Sequence, residues 1–354
     1  MSDKNNTEMT PTLADDTVLS VRNLQTHFFS REGTVKAVDG VSFDVKQGEI
    51  LGIAGESGCG KSVTSQSILQ IVPKSGKIVD GEILFNYNNE TVDLAKTDPD
   101  GRFIRNIRGK EIAMIFQEPM TAFSPVHTIG NQIIETILIH QQVSKEEARE
   151  QAIEMLRRVG MPSPGLNIDQ YTFNLSGGMR QRAMVALALS CQPKLLIADE
   201  PTTAVDVTIQ AQMLELMREI QADLGMAIIM ITHDLGVIAE LTDRVMIMYL
   251  GKEVESGTVE DVFHRSKHPY TRGLLKSIPK MTPGRVTIDP IEGSVPSPYA
   301  KPTGCKFHPR CPDYMPGICE QHDPPLTEVA AGHEVSCYLY SDQYNGQGKK
   351  EGVH

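Results

Sequence analysis

The sequence contains no tryptophan, and aromatic residues make up only 5% of it. A ring that stacks on this chain must therefore find phenylalanine or tyrosine. Positive charge is also scarce: the formal net charge is -11. That argues against nucleic acid as a partner, because binding phosphates along a backbone wants a basic surface. No apolar run is clean enough to span a bilayer. The most apolar one, Met226 to Leu250, is broken by His233, Asp234, Glu240, Asp243 and Arg244. Met1 to Asp16 is polar and acidic, with no apolar stretch of the secretory kind. It reads as a disordered tail, as does 341–354. Tight C-x2-C pairs, the usual zinc spacing, are missing too. These absences predict a cytoplasmic chain that does not itself cross a membrane.

What is present suits a globular protein. The 354 residues exceed a typical single domain, and an apolar fraction of 40% supports a sizeable core. Val18 to Phe29 and Val41 to Val45 read as strands. Glu49 to Ala54 is a short apolar strand running into Gly55, and Ser62 to Ile71 is helical. Ile112 to Phe116, Leu195 to Ala198 and Ala227 to Thr232 are further apolar strands. Between them lie a helical stretch from Thr128 to Val159 and helices at Met179 to Cys191 and Val207 to Leu224. Strands alternating with helices predict an α/β domain with a largely parallel sheet, into which the helical region is inserted.

Gly55-Glu56-Ser57-Gly58-Cys59-Gly60-Lys61-Ser62 fits GxxxxGK[ST] in full, at a strand–helix junction. Its glycines let backbone N–H groups turn toward a phosphate, and the helix that continues through Val63 adds positive potential. Lys61 is expected at the β- and γ-phosphates and the Ser62 hydroxyl on Mg²⁺. Leu195 to Glu200 is an apolar strand ending in two carboxylates. Asp199 suits the metal, and Glu200 is placed to orient and deprotonate an attacking water. His233 and Gln117 each follow a strand on the same sheet edge. They are expected to hold the γ-phosphate and water, and to touch Mg²⁺ or water, respectively. A second small-residue turn, Leu175-Ser176-Gly177-Gly178-Met179-Arg180-Gln181, opens another helix. One cradle suffices for one nucleotide, so the second turn points to the site of another subunit.

In this order and spacing the motifs resemble the ATP-binding cassette ATPases over about residues 17–265. Gly55 to Ser62 corresponds to Walker A, Gln117 to the Q-loop and Leu175 to Gln181 to the signature. Leu195 to Glu200 corresponds to Walker B, Asp206 to the end of the D-loop and His233 to the H-loop. The resemblance implies a RecA-like core, an antiparallel β subdomain and a helical subdomain at about 120–185. It also implies a head-to-tail dimer in which Ser176, Gly177 and Gly178 face the partner's γ-phosphate, with Phe28 stacked on adenine. The D-loop reads Thr-Ala-Val-Asp where Ser-Ala-Leu-Asp is commoner.

After His264 the composition shifts toward proline and glycine, and such a segment is not expected to hold itself together by a hydrophobic core. His268 to Leu275, Gly293 to Pro298 and Gly304 to Pro312 resemble the C-terminal extension of oligopeptide, dipeptide and nickel importer ATPases. The extension is taken as 266–340. This branch implies two membrane permeases, an extracytoplasmic binding protein and an identical or paralogous second ATPase. It places the chain on the cytoplasmic face of the membrane, with Gln117 to Val126 meeting a permease. Cys305, Cys311, Cys319 and Cys337 are spaced C-x5-C-x7-C-x17-C. A cytoplasmic chain does not rely on disulfides, so a metal centre is the natural staple, and the wide spacing suits a [4Fe–4S] cluster. Zinc or four reduced thiols are the alternatives. Peptide import is the leading function, oligosaccharides or nickel the other cargoes. A soluble ATPase of DNA repair or translation is the competing class, but this chain carries neither a coiled-coil insertion nor a second cassette.

Overall fold

The computed structural model describes residues 12–117, 123–202, 207–278, 280–282, 285–287 and 289–341. Two long strands open the chain, β1 (Thr17–Ser30) and β2 (Gly33–Lys46), paired antiparallel through a tight turn. β3 (Ile50–Ala54) is buried at every position, as its unbroken apolar sequence demands of a central parallel strand. β4 (Gly76–Tyr87) and β5 (Glu90–Asp93) complete a four-stranded antiparallel sheet in the order β2-β1-β4-β5.

The second sheet has eight strands. β6 (Ile112–Ile115), β7 (Leu195–Asp199), β8 (Ala227–Thr232) and β9 (Arg244–Tyr249) join β3 in parallel, in the order β9-β3-β8-β7-β6. β10 (Lys252–Thr258) then turns back antiparallel on β9. β11 (Lys280–Thr282) and β12 (Arg285–Thr287) form a small ladder of their own. β13 (Leu326–Ala330) and β14 (His333–Ser336) belong to the eight-stranded sheet, because β14 pairs with β10. One apolar cluster fills the space between the two sheets, from Leu19 and Phe85 to Ile53 and Ile231. A second lies on the other face, between the parallel strands and the helices.

The stretch expected to be one helical pattern from Thr128 to Val159 is two helices, Ile129–His140 and Lys145–Arg158. The first ends at Gln141, and Ser144 caps the second. Its hydroxyl accepts the Glu147 N–H at 3.2 Å, and the Glu147 carboxylate accepts the Ser144 N–H at 2.8 Å. That reciprocal pair is a helix start, and it overrides a periodicity that runs straight through. The extension is anchored on the eight-stranded sheet. Tyr270 and Phe307 are fully buried beside Tyr249 of β9, with ring centroids 4.6 to 5.4 Å apart. The segment has no core of its own because it borrows that of the sheet.

Candidate nucleotide site

β3 hands the chain directly to the loop Gly55 to Gly60, and the helix Lys61–Ile68 follows. Two of the loop glycines are forced by close approach. A Cβ on Gly55 would stand 2.2 Å from the Met248 carbonyl oxygen, and one on Gly60 would stand 2.3 Å from that of Ala37. Both also hold positive φ, +151° and +107°. The loop is thus pressed against β9 on one side and β2 on the other. Lys61 is only 5% exposed. Its Nζ donates to the Gly55 carbonyl at 2.8 Å and to that of Glu56 at 3.2 Å. Cys59 is buried beside it, and burial pushes its thiol up, away from the reactive thiolate form. Ser57 and Gly58 lie exposed at the crest, and Val63 packs its side chain on the inter-sheet cluster.

The end of β7 comes to this loop. The Ser62 hydroxyl donates to Asp199 Oδ1 at 3.0 Å. Asp199 is 4% exposed. Burial raises its carboxyl above the usual range, opposed by the Ser62 hydrogen bond. A buried carboxylate paired with a hydroxyl is a donor set suited to a hard cation, so the two residues fit Mg²⁺.

Glu200 follows in an unusual backbone state, with φ +48°. The left-handed region costs a residue with a side chain about 1–2 kcal/mol. Its N–H donates to the Ile231 carbonyl at 2.8 Å, which ties the turn to β8. Its carboxylate accepts Gln117 Nε2 at 2.9 Å and lies 3.2 Å from His233 Nδ1. Lys61, Ser62, Gln117, Asp199, Glu200 and His233 are therefore gathered at the carboxyl ends of β3, β6, β7 and β8. That edge is where open parallel sheets bind ligands.

The other expected contacts lie elsewhere. Phe28 is half-buried against Gly76, where an added Cβ would come within 2.8 Å of its ring. Phe29 is 50% exposed and meets His27 edge-on, centroids 6.5 Å apart. Ser176 caps the helix Gly177–Leu189, its hydroxyl accepting the Met179 N–H at 3.3 Å. Ser176 and Gly177 are exposed and Gly178 is half-exposed. Asp206 lies outside the described residues, as do 118–122 of the segment expected to meet a permease.

The four late cysteines are unpaired thiols. Cys305 donates its N–H to the Cys319 carbonyl at 2.7 Å. Burial, with the neighbouring sulfurs adding to it, pushes Cys305 up to about 11 and Cys311 and Cys337 up to about 12. Burial raises Cys319 as well. Among the described residues no group of three or more His, Cys, Asp or Glu side chains could hold a metal ion. The sulfurs share one region without forming a ready ligand set, either for an iron–sulfur centre or for zinc.

Two contacts on the phosphate loop had no role in the sequence reading. Glu56 lies against Arg310, and its N–H donates to Tyr270 Oη at 2.9 Å. Both partners sit inside stretches that the family resemblance had already marked, which was the only signal for them.

A P-loop against a parallel sheet, with carboxylates and an amide converging on it, defines an ATP-hydrolysing cassette. The ABC transporter family model matches residues 38–203, and the model for the oligopeptide/dipeptide transporter C-terminal region matches residues 254–319. The probable peptide ABC transporter ATP-binding protein y4tR of Sinorhizobium fredii is 50% identical over 332 residues, 93% of this chain and 97% of the relative. The dipeptide transport ATP-binding protein DppD of Bacillus subtilis is 50% identical over 323 residues, covering 91% of this chain and 94% of the relative. The dimeric structure of the ATP-binding cassette MJ0796 superimposes with a TM-score of 0.60 at 24% identity, covering 68% of this chain and 98% of that one, a likeness of fold. This chain belongs to the ATP-binding subunits of ABC transporters, in the branch with the oligopeptide/dipeptide C-terminal region. Among the described residues no helix is long and apolar enough to cross a membrane.

Proposed function

We propose that the chain powers uptake of di- or oligopeptides as one of a pair of cassettes beneath two membrane permeases. The observation that carries the mechanism is the position of Glu200, held between Gln117 and His233 beside the Ser62–Asp199 pair. In this reading the backbone from Gly55 to Val63 and Lys61 hold the phosphates, and Ser62, Asp199 and Gln117 hold Mg²⁺. Glu200 takes a proton from the water that attacks the γ-phosphate. If the neutral ring of His233 donates Nδ1–H to Glu200, its Nε2 accepts from the water; with both nitrogens protonated it donates to the γ-phosphate instead. Phe28 supports the adenine, and Ser176, Gly177, Gly178 and Asp206 belong to the contact with the partner cassette. The peptide cargo rests on the relatives, whose names specify peptide and dipeptide transport. An extracytoplasmic binding protein would deliver it, and the cassette would work at the cytoplasmic face of the membrane. Domain limits at about 17–265 and 266–340 belong to the same proposal.

Glu200→Gln is expected to cut ATP turnover by about 10²–10⁴-fold while leaving MgATP bound. Undiminished turnover in that variant would remove Glu200 from its role. Purification of the chain with its membrane partners, followed by peptide uptake in vesicles, tests the transport reading.

The cysteines enter the proposal as ligands of a structural iron–sulfur centre. Support comes from the burial of Cys319 and Cys337, the half-burial of Cys305 and Cys311, their unpaired state and their wide spacing. A multi-iron cluster also needs its ligand sulfurs farther apart than a single ion does. Visible absorption and iron and sulfide analysis of anaerobically purified protein test it, and colourless, iron-free protein refutes it.

A further inference from the structure

The phosphate loop is held from behind by the far end of the chain. Glu56, the second residue of the loop, sets both carboxylate oxygens on Arg310, at 2.7 Å to Nη1 and 3.2 Å to Nη2. The Arg310 side chain is only 4% exposed. Its Nε donates to the Glu292 carbonyl at 3.1 Å, and Nη1 also reaches Tyr249 Oη at 3.3 Å. The guanidinium lies 5.9 Å from the ring centroids of both Tyr249 and Phe307. Glu56 is fixed on its backbone side as well, through the hydrogen bond from its N–H to Tyr270.

A two-pronged arginine–carboxylate pair fixes orientation as well as distance, which a lysine cannot reproduce. The orientation matters here because of what Glu56 adjoins. The carbonyls of Gly55 and Glu56 are the two oxygen acceptors of Lys61 Nζ, beside the Cys59 sulfur at 3.8 Å. A shift of Glu56 moves both of them, and so moves the lysine that faces the phosphates. Gly55 cannot absorb the shift, because it already lies against the Met248 carbonyl.

We propose that Arg310 is a positioning residue for nucleotide binding, acting through Glu56 on the phosphate loop and Lys61. The C-terminal extension is thereby part of the ATP site. This rests on the reading of Gly55 to Ser62 as the phosphate cradle.

The test measures MgATP affinity by titration of the full-length chain, together with the melting temperature of each variant without nucleotide. Lys61→Ala tests the cradle. If it leaves affinity unchanged, the underlying reading fails, whatever Arg310 does. Given a functional cradle, Arg310→Gln and Glu56→Gln are each expected to weaken MgATP about tenfold. The double variant should be no weaker than either single one, since both remove one interaction. Arg310→Lys should fall between wild type and Arg310→Gln. Asp313→Asn, three residues further on but bonded to half-buried Arg272 at 3.0 Å, should leave affinity unchanged. A pair that only staples the extension would lower the melting temperature and leave the affinity of folded protein as it was. That result, or losses that simply multiply in the double variant, overturns the proposal. If Arg310→Gln does not fold, Arg310→Lys measured with and without Glu56→Gln decides: a loss that persists without Glu56 overturns it.

Discussion

The chain has two glycine-bearing turns that each open a helix, and they are built for opposite situations. The first, Gly55 to Ser62, is crowded at Gly55 and Gly60, with backbone carbonyls where a Cβ would go, and its exposed Gly58 holds a left-handed φ of +78°. The second, Ser176 to Gly178, has room. A Cβ on Gly177 meets nothing within 4 Å, and one on Gly178 meets only the Ile209 side chain at 3.1 Å. The fold therefore explains the glycines of the first turn and not Gly177 of the second. A residue kept small for no internal reason suggests that something outside the chain comes close to it, in keeping with a cassette that completes its partner's site.

Substitutions can break that contrast. Gly55→Ala should have the largest effect, because the Met248 backbone must move and the Cys59 side chain with it. A loss of about 3 kcal/mol of stability is expected, read as reduced soluble yield and a lower unfolding midpoint. Gly177→Ala should do the reverse. Its folding stability should hold or rise by about 0.4–1 kcal/mol, while turnover of the assembled transporter falls on the order of 10²-fold from a misplaced contact. A Gly177→Ala protein with normal turnover would end the argument that the second turn serves a neighbour. Ser176→Ala comes next, since it removes the helix cap. A cost of about 1 kcal/mol is expected in thermal melts.

A pH-dependent effect concerns what stands behind the first turn. His268 caps the helix Pro269–Lys276, which carries the Tyr270 hydroxyl that accepts the Glu56 N–H. Burial pushes His268 down to about 3. An unfolded chain takes up this proton near pH 6.5, whereas the folded one does not until about pH 3. Stability should therefore decline as pH falls through that window, by at most about 1.4 kcal/mol per pH unit. Denaturant melts of wild type and His268→Asn between pH 7 and 5 should show a shallower slope in the variant.

Much of this was legible in the sequence. β3, β7 and β8 announce themselves as unbroken apolar runs, because strands covered on both faces leave no place for polar residues. Each runs into residues of the site at or just past its end, so the convergence of Lys61, Asp199, Glu200 and His233 could be expected from parallel pairing alone. The Arg310–Glu56 contact could not, since 254 positions separate the two and nothing local marks either. The break between Ile129–His140 and Lys145–Arg158 was visible only in the Ser144 and Glu147 pair, a polar cue beneath a dominant apolar rhythm. β13 and β14 gave no cue. Exposed and half-exposed residues fill β13, and its partner β14 joins the sheet only through β10, where Val335 lies opposite Glu255.

That pairing bears on how the protein can be cut. β14 covers β10 through Glu255 opposite Val335 and Ser256 opposite Glu334. A chain trimmed after the ATPase core would bare the outer side of β10, a row of unmatched amides and carbonyls of the kind that templates aggregation. The same cut would strip the aromatic lid from Tyr249. Protease nicking in the proline-rich stretch should therefore leave two fragments that stay together until a denaturant separates them.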